Sequence, residues 1–408
     1  MLTSWPPGVP LGKLFVLMIT AFVDMVGLLM VIPLLPYYAV DLGGGGLIVG
    51  VLVSAFSLAQ LLSAPLWGRV SDRYGRRPAL LVGLIFSAGA YVIFAYATSL
   101  WLLLLSRLVQ GAGGGTTGVI QAYVADATEP QNRARSLGWI SAATNLGVAI
   151  GPVLGSLTFA FGREAPGLFA AALCLLNIVF AFRFLHESHD VNAASNAGFK
   201  VRRSREAMME VVKHSGAPAS RLIWIYAIAM GAFQGMTAIL ALFLAFRFNV
   251  TEETIGYFFM YIGAIAVLTR AGILGPLVDR LGEPRLSRIG TILLAIGLAV
   301  LPFTYSYFTL AVTVALVPLG TAFTFPCITS LLSRVISRHE RGLYMGVQQT
   351  FGGVARVIGP LWAGWAYDNL GIGVPFWTGA IFVAGTLLLS VGMEEYTQEK
   401  PTTATLPA

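Results

Sequence analysis

The sequence predicts an all-α membrane protein of twelve transmembrane helices in two groups of six. Three observations carry that reading. The 408 residues are 56% hydrophobic and only 11% charged, with mean hydropathy +0.77, whereas soluble domains carry about 25% charged residues. Apolar runs near the roughly 20 residues that span a bilayer recur twelve times, at about 13–40, 47–67, 78–98, 100–125, 135–161, 166–185, 221–246, 254–274, 285–304, 307–333, 343–366 and 373–393. Finally, one charged turn returns in weaker form 207 positions later, as though one half were written twice.

Short charged turns join the spans, except for a polar connection over 186–220. It divides the chain into an N-terminal bundle (1–185), a cytoplasmic linker (186–220) and a C-terminal bundle with a short tail (221–408). Of 26 Lys and Arg, 21 fall in the termini and in alternate loops on one side. Only Arg163 and Arg247 lie in loops on the other side, and Arg107, Arg270 and Arg356 lie within spans. Both termini are therefore expected to be cytoplasmic. The net charge of +7 is accounted for by this bias, so no nucleic-acid partner is expected. Lys13 precedes an uninterrupted span with no small-residue cleavage site, which reads as a retained first helix. Cys174 and Cys327 sit in apolar runs and imply no disulfide. In the linker, Val201, Met208, Val211 and Val212 among basic residues suit either a helix on the inner leaflet or a solvated connection. Asn249-Val250-Thr251 is a glycosylation sequon on the outer side, a match that also arises by chance.

The repeated turn is Gly68-Arg69-Val70-Ser71-Asp72-Arg73-Tyr74-Gly75-Arg76-Arg77. A polar, glycine-bounded segment of this kind cannot lie in hydrocarbon, so it turns the chain at a membrane face. Gly68, Asp72, Arg73 and Gly75 recur as Gly275, Asp279, Arg280 and Gly282; Arg133, Gly138, Gly151 and Pro152 recur as Arg341, Gly346, Gly359 and Pro360. An ordinary charged turn explains the arginines but not the spaced repeat. The turn resembles the G-x-x-x-D-R-x-G-R-R/K loop between helices two and three of the major facilitator superfamily. That resemblance implies two six-helix bundles related by a pseudo-two-fold axis along the membrane normal, rocking about a site near the midplane. It also implies a gating latch at the cytoplasmic face. Asp72 would cap span 11 near Leu343–Met345, and Arg76 or Arg73 would pair with Asp126 at the end of span 4, with Arg77 alongside.

Span 5 carries Gly147, Gly151, Pro152 and Gly155. Glycines at i, i+4 and i+8 admit a close helix neighbour, and the proline kinks the helix. The run resembles the superfamily's G-x-x-x-G-P-x-x-G antiporter pattern, which implies packing against span 8, where Gly263, Ala264, Ala271 and Gly272 are available. Span 4 carries Arg107-Leu108-Val109-Gln110-Gly111, resembling the family's R-x-x-Q-G pattern. An intramembrane arginine costs about 2.5–3.5 kcal/mol on insertion scales and needs a partner. Asp24, the only acid within span 1, lies about 18 Å from the cytoplasmic side against about 21 Å for Arg107. An ion pair between them either only joins two helices or forms a proton site. Burial disfavours a carboxylate's charged form and a nearby cation favours it, so movement of Arg107 would load or release a proton.

With Asp24-Met25-Val26-Gly27-Leu28 and Ile32-Pro33-Leu34-Leu35-Pro36, the chain looks like the twelve-helix drug:proton antiporters, tetracycline efflux proteins among them. It departs where those carry membrane aspartates in spans 3 and 9, having Gly89-Ala90-Tyr91 and Leu294-Ala295-Ile296-Gly297-Leu298 instead. Arg356, about 22 Å along span 11 from Arg341, is outside their motif and lacks a deep acid near it. It is expected to face the cavity and favour an anionic group, or else to bond a carbonyl or snorkel. Gln60, Gln121, Asn145, Gln234, Gln348 and Gln349 are cavity candidates or inter-helix bonds, with Phe233, Tyr257 and Tyr261 as stacking surfaces. No metal site, phosphate-binding loop or nucleophile is evident, so neither an enzyme nor an ATP-driven pump is expected, and no cofactor. The expected activity is export of small amphipathic, drug-like compounds by proton antiport in a bacterial inner membrane, by a monomer amid lipid. An uncoupled facilitator or lipid-like or organic-anion carrier, and a non-transporting sensor, are the other readings.

Overall fold

The computed structural model describes residues 11–129, 131–187, 201–337 and 339–397. Every element among them is helical. The first bundle comprises α1 (Leu11–Val31), α2 (Leu35–Asp41), α3 (Gly46–Tyr74), α4 (Arg76–Ala95), α5 (Leu100–Ala112), α6 (Thr116–Ala127), α7 (Arg133–Phe159) and α8 (Ala165–Phe184). After α9 (Val201–Lys213) come α10 (Pro218–Phe248), α11 (Glu252–Leu268), α12 (Leu274–Leu281), α13 (Glu283–Val300), α14 (Tyr307–Val335), α15 (Arg341–Asn369) and α16 (Val374–Leu389).

Nine of the described helical stretches combine the length and hydropathy of a membrane crossing. The other three of the twelve differ for identifiable reasons. α16 is 16 residues long, and α15 is diluted by glycines, glutamines and Arg356. The fourth span, expected to run unbroken over 100–125, is instead split between α5 and α6 at Gly113-Gly114-Gly115. Side chains of α3 take up carbonyls at the break. Gln60 Nε2 donates to Gly114 O (3.1 Å), Ser63 Oγ to Gly111 O (3.2 Å) and Trp67 Nε1 to Ala112 O (2.6 Å), which is how irregular backbone survives at membrane depth. The first span breaks at Ile32-Pro33-Leu34, where Pro33 has no N–H to give. The eighth widens into a π-turn, Thr269–Ile273, between α11 and α12.

The internal repeat is visible in the packing. Gly151 of α7 lies against Val26 and Leu29 of α1, and its counterpart Gly359 of α15 lies against Gly231 of α10. Between bundles, the Pro152 carbonyl fills the space where Gly256 would carry a Cβ, and the Pro360 carbonyl does the same at Gly50. Gly75 (φ +102°) and Gly282 (φ +78°) make the equivalent turns α3–α4 and α12–α13, in a region that disfavours side chains.

The linker helix α9 forms, but its buried face differs from the expected one. Ala207 and Val211 pack with Leu222, Ile223 and Val347 of the second bundle, leaving Met209 and Val212 exposed. Tyr344 Oη donates to Glu210 at 3.2 Å. The side chains of Lys13 and Val201, linker residues 188–200 and tail residues 398–408 lie outside the described residues.

The bundles meet unevenly. At the face opposite the arginine-rich turn, Asp368 of α15 accepts from the amides of Gly46 (2.7 Å) and Leu47 (2.8 Å) at the start of α3. There also Tyr37 Oη donates to Val250 O (2.9 Å), and Ser156 Oγ donates to Glu252 O (2.6 Å) while accepting from Gly256 N. At the basic face Leu62, Leu66 and Tyr74 are exposed. A Cβ built on Gly68, Gly272, Gly275, Gly342 or Gly346 would meet nothing within 4 Å. A cleft of about 600 Å³, lined by residues including Gln60, Asp72, Gln349 and Arg356, opens there.

Candidate functional site

Above this cleft, between the bundles, is a cavity of about 360 Å³. Its wall is largely apolar, with Phe56, Phe233, Phe259 and Phe325, and its polar groups include Gln60, Asn145, Gln234 and three arginines, Arg107, Arg270 and Arg356.

Arg107 is 1% exposed, sits over the Phe94 ring at 5.9 Å, and leaves Nε and Nη2 without a hydrogen-bond partner. The expected Asp24–Arg107 ion pair is not formed. Asp24 Oδ2 accepts from Thr116 Oγ1 at 3.0 Å, because the break at Gly113–Gly115 starts α6 beside α1, and Asp24 does not line the cavity. Gln110 Nε2, one turn from Arg107, donates to Tyr91 Oη at 2.9 Å.

Arg270 was countable in the sequence as an arginine inside a span, yet nothing there gave it a role. It lies in the π-turn, a feature frequent at functional sites, and Nη1 donates to Asn145 Oδ1 at 3.3 Å. Arg356 lines both cavity and cleft and has no ion pair or hydrogen bond among the described residues.

Phe233 and Gln234 line the cavity. Gln121, Tyr257 and Tyr261 do not, and all three are exposed. On α11 the cavity face is Phe259, Ile262, Gly263 and Ala266, and helical spacing puts Tyr257 and Tyr261 opposite; Tyr261 Oη donates to Ala311 O (3.1 Å). Gln348 is buried against Thr329, and Gln349 lines the cleft.

The glycines of α7 also face elsewhere than expected. Gly147, Gly151 and Gly155 meet Phe22, Val26 and Met30 of α1. The neighbouring face of α7, through Ala149, Pro152 and Ser156, meets Gly256 and Gly263 of α11, while Ala271 is exposed and Gly272 has no close neighbour.

At the basic turn, Arg76 Nε donates to Asp126 Oδ2 (2.8 Å), and Nη1 donates to Asp72 Oδ1 (2.6 Å) and Ser71 Oγ (2.7 Å). Among the described residues Asp72 is therefore seen to bond Arg76 beside its own turn, and no bond to Leu343–Met345 is found. The Glu187 carboxylate accepts from the amides of Arg76 and Arg77, capping α4. Arg77 Nη2 donates to Phe182 O (2.5 Å), and Arg73 stacks on Tyr74. In the second half Asp279 and Arg280 are exposed on α12. The bonded groups are Glu283, Ser330 and Arg334, with Glu283 Oε1 accepting from both partners.

The Major Facilitator Superfamily profile matches residues 17–283 and 271–406. The chain is 30% identical over 390 residues to the class C tetracycline resistance protein of Escherichia coli, covering 93% of this chain and 95% of that protein. It is 26% identical to multidrug resistance protein 2 of Bacillus subtilis (strain 168), covering 94% and 95%. It superimposes on the crystal structure of the human organic anion transporter MFSD10 (TETRAN) with a TM-score of 0.71 at 25% identity, covering 95% of this chain and all of that one.

Proposed function

The chain belongs to the Major Facilitator Superfamily, and from that membership we propose that it is a secondary active transporter exporting small amphipathic compounds by proton antiport and alternating access. The observation that carries this is the uneven meeting of two repeats around one cavity, bonded shut through Asp368, Gly46 and Leu47 at one face and open at the other. The positive-inside rule makes the open, basic face cytoplasmic, so the molecule stands ready to accept a substrate from within the cell. Tetracycline and multidrug resistance relatives support outward movement of drug-like molecules. Asp24 on the first bundle is the proton carrier in this reading, with Thr116 as its hydrogen-bond partner. A bacterial inner membrane is the setting and a monomer the working unit. Inverted proteoliposomes test it: an acid interior should drive accumulation of a fluorescent amphipath, and a protonophore should abolish it. Transport unaffected by collapse of the proton gradient would favour the uncoupled carrier.

A further inference from the structure

We infer that the central cavity takes an organic anion, a compound bearing one carboxylate, sulfonate or phosphate on an apolar, aromatic body. The inference rests on the exporter reading above and names its substrate class. Arg107, Arg270 and Arg356 come from three different helices onto one cavity, and among the described residues no Asp or Glu lines it. Arg107 is almost fully buried with two guanidinium nitrogens lacking an acceptor, a costly state for a charge in a low-dielectric interior. The hydrogen-bond partner of Arg270 is the neutral amide of Asn145, and Arg356 has none among the described residues. Asp24 accepts from Thr116 and is not among the residues that line the cavity. Three uncompensated guanidinium forks around a small volume focus a positive field and match the two oxygens of an acid group. Phe56, Phe233, Phe259 and Phe325 supply the surface for the rest of the molecule. Arg107 belongs to the first bundle, and Arg270 and Arg356 to the second. An anion held among them bridges the bundles, so binding favours the arrangement in which they close around it.

The test uses two dyes with one dansyl body, anionic dansylglycine and cationic dansylcadaverine, titrated by fluorescence onto the full chain in nanodiscs with empty nanodiscs subtracted. The expected result is at least about tenfold tighter binding of dansylglycine by the wild type. Arg270→Gln and Arg356→Gln should each weaken it by about tenfold without weakening dansylcadaverine, and Arg356→Lys should retain more than Arg356→Gln. A wild-type preference for dansylcadaverine overturns the inference, and that comparison needs no variant to fold. So does unchanged dansylglycine affinity in both glutamine variants. If equimolar sodium sulfate displaces the dye, the site takes a small inorganic anion and the organic body is wrongly assigned. The gradient-driven assay separates the two readings. Driven accumulation of dansylcadaverine without dansylglycine binding sinks the substrate class alone, whereas selective dansylglycine binding with no driven transport of either dye sinks the exporter reading and leaves the site standing.

Discussion

Glu283 and Arg334, 2.9 Å apart, repeat the contact of Arg76 with Asp126, 2.8 Å apart, with the charges exchanged. Each pair joins the residue after a positive-φ glycine to the far end of a bundle helix, α6 or α14. Coulomb attraction depends only on the product of the charges, so the exchange keeps the brace while reversing the sign of the turn. Arg76 and Glu283 are each 8% exposed, but the Arg334 side chain is 52% exposed, which screens its pair. Glu283→Gln should therefore lower stability by about 1–2 kcal/mol, and the double reversal Glu283→Arg with Arg334→Glu should recover most of it. Melting of the purified variants reads this directly. A reversal no more stable than its single components would show that the brace is not the source.

Asp368 closes the opposite face by capping α3 from the other bundle. A carboxylate at a helix N-terminus contributes about 0.3–1 kcal/mol, and up to about 2 when partly buried. Asp368→Ala removes that term from the structure seen here only, so the population should move toward opening at this face, up to about thirtyfold. Labelling of Ile262→Cys in the cavity by an impermeant maleimide added from that side should rise accordingly. Equal labelling with and without Asp368 would end this account of the gate.

Asp72 should act with the opposite sign. Its resemblance-based role is a latch on the first turn of α15, made when the basic face closes; here it holds Arg76. Asp72→Asn should weaken the closed arrangement and raise labelling of the same cysteine from the basic face. Unchanged accessibility there would remove Asp72 from gating.

Much of the fold was legible because hydropathy, charged turns and the 207-residue repeat are properties of the chain itself. What a pattern leaves open is the partner. The spacing of Gly147, Gly151 and Gly155 guarantees a close neighbour, but which helix supplies it follows from the order of the bundle, and it is α1. Equal depth made Asp24 and Arg107 plausible partners, yet three glycines in a row broke span 4 and brought Thr116 to the carboxylate instead. Tyr257 and Tyr261 were placed by composition, and one helical face decided against them. The exchange at Glu283 and Arg334 was present at the repeat offset, hidden because matching identities overlooks a pair whose charges are reversed together.

Asp24→Asn fixes a neutral side chain that still accepts from Thr116. Substrate binding should persist within about threefold, a loss smaller than one hydrogen bond, while uphill transport driven by a pH gradient falls to background. Undiminished uphill transport by this variant would take Asp24 out of the coupling.

The sign of charge in the cavity fixes how transport responds to voltage. Exchange of one proton inward for one monoanion outward moves the equivalent of two positive charges inward per cycle; the same exchange for a monocation moves none. At about 2.3 kcal/mol per charge per 100 mV, an inside-negative potential of about 100 mV adds roughly 4.6 kcal/mol to anion export, a thousandfold or more in the limiting gradient. In proteoliposomes without a pH gradient, a valinomycin potential negative on the basic-face side should therefore speed dansylglycine movement toward the other side, and the reversed potential should slow it. Arg356→Gln should reduce the flux yet leave its voltage dependence, because the charge moved belongs to the substrate. Flux of dansylglycine indifferent to voltage would show that its charge is compensated in transit, and the three arginines would then need another explanation.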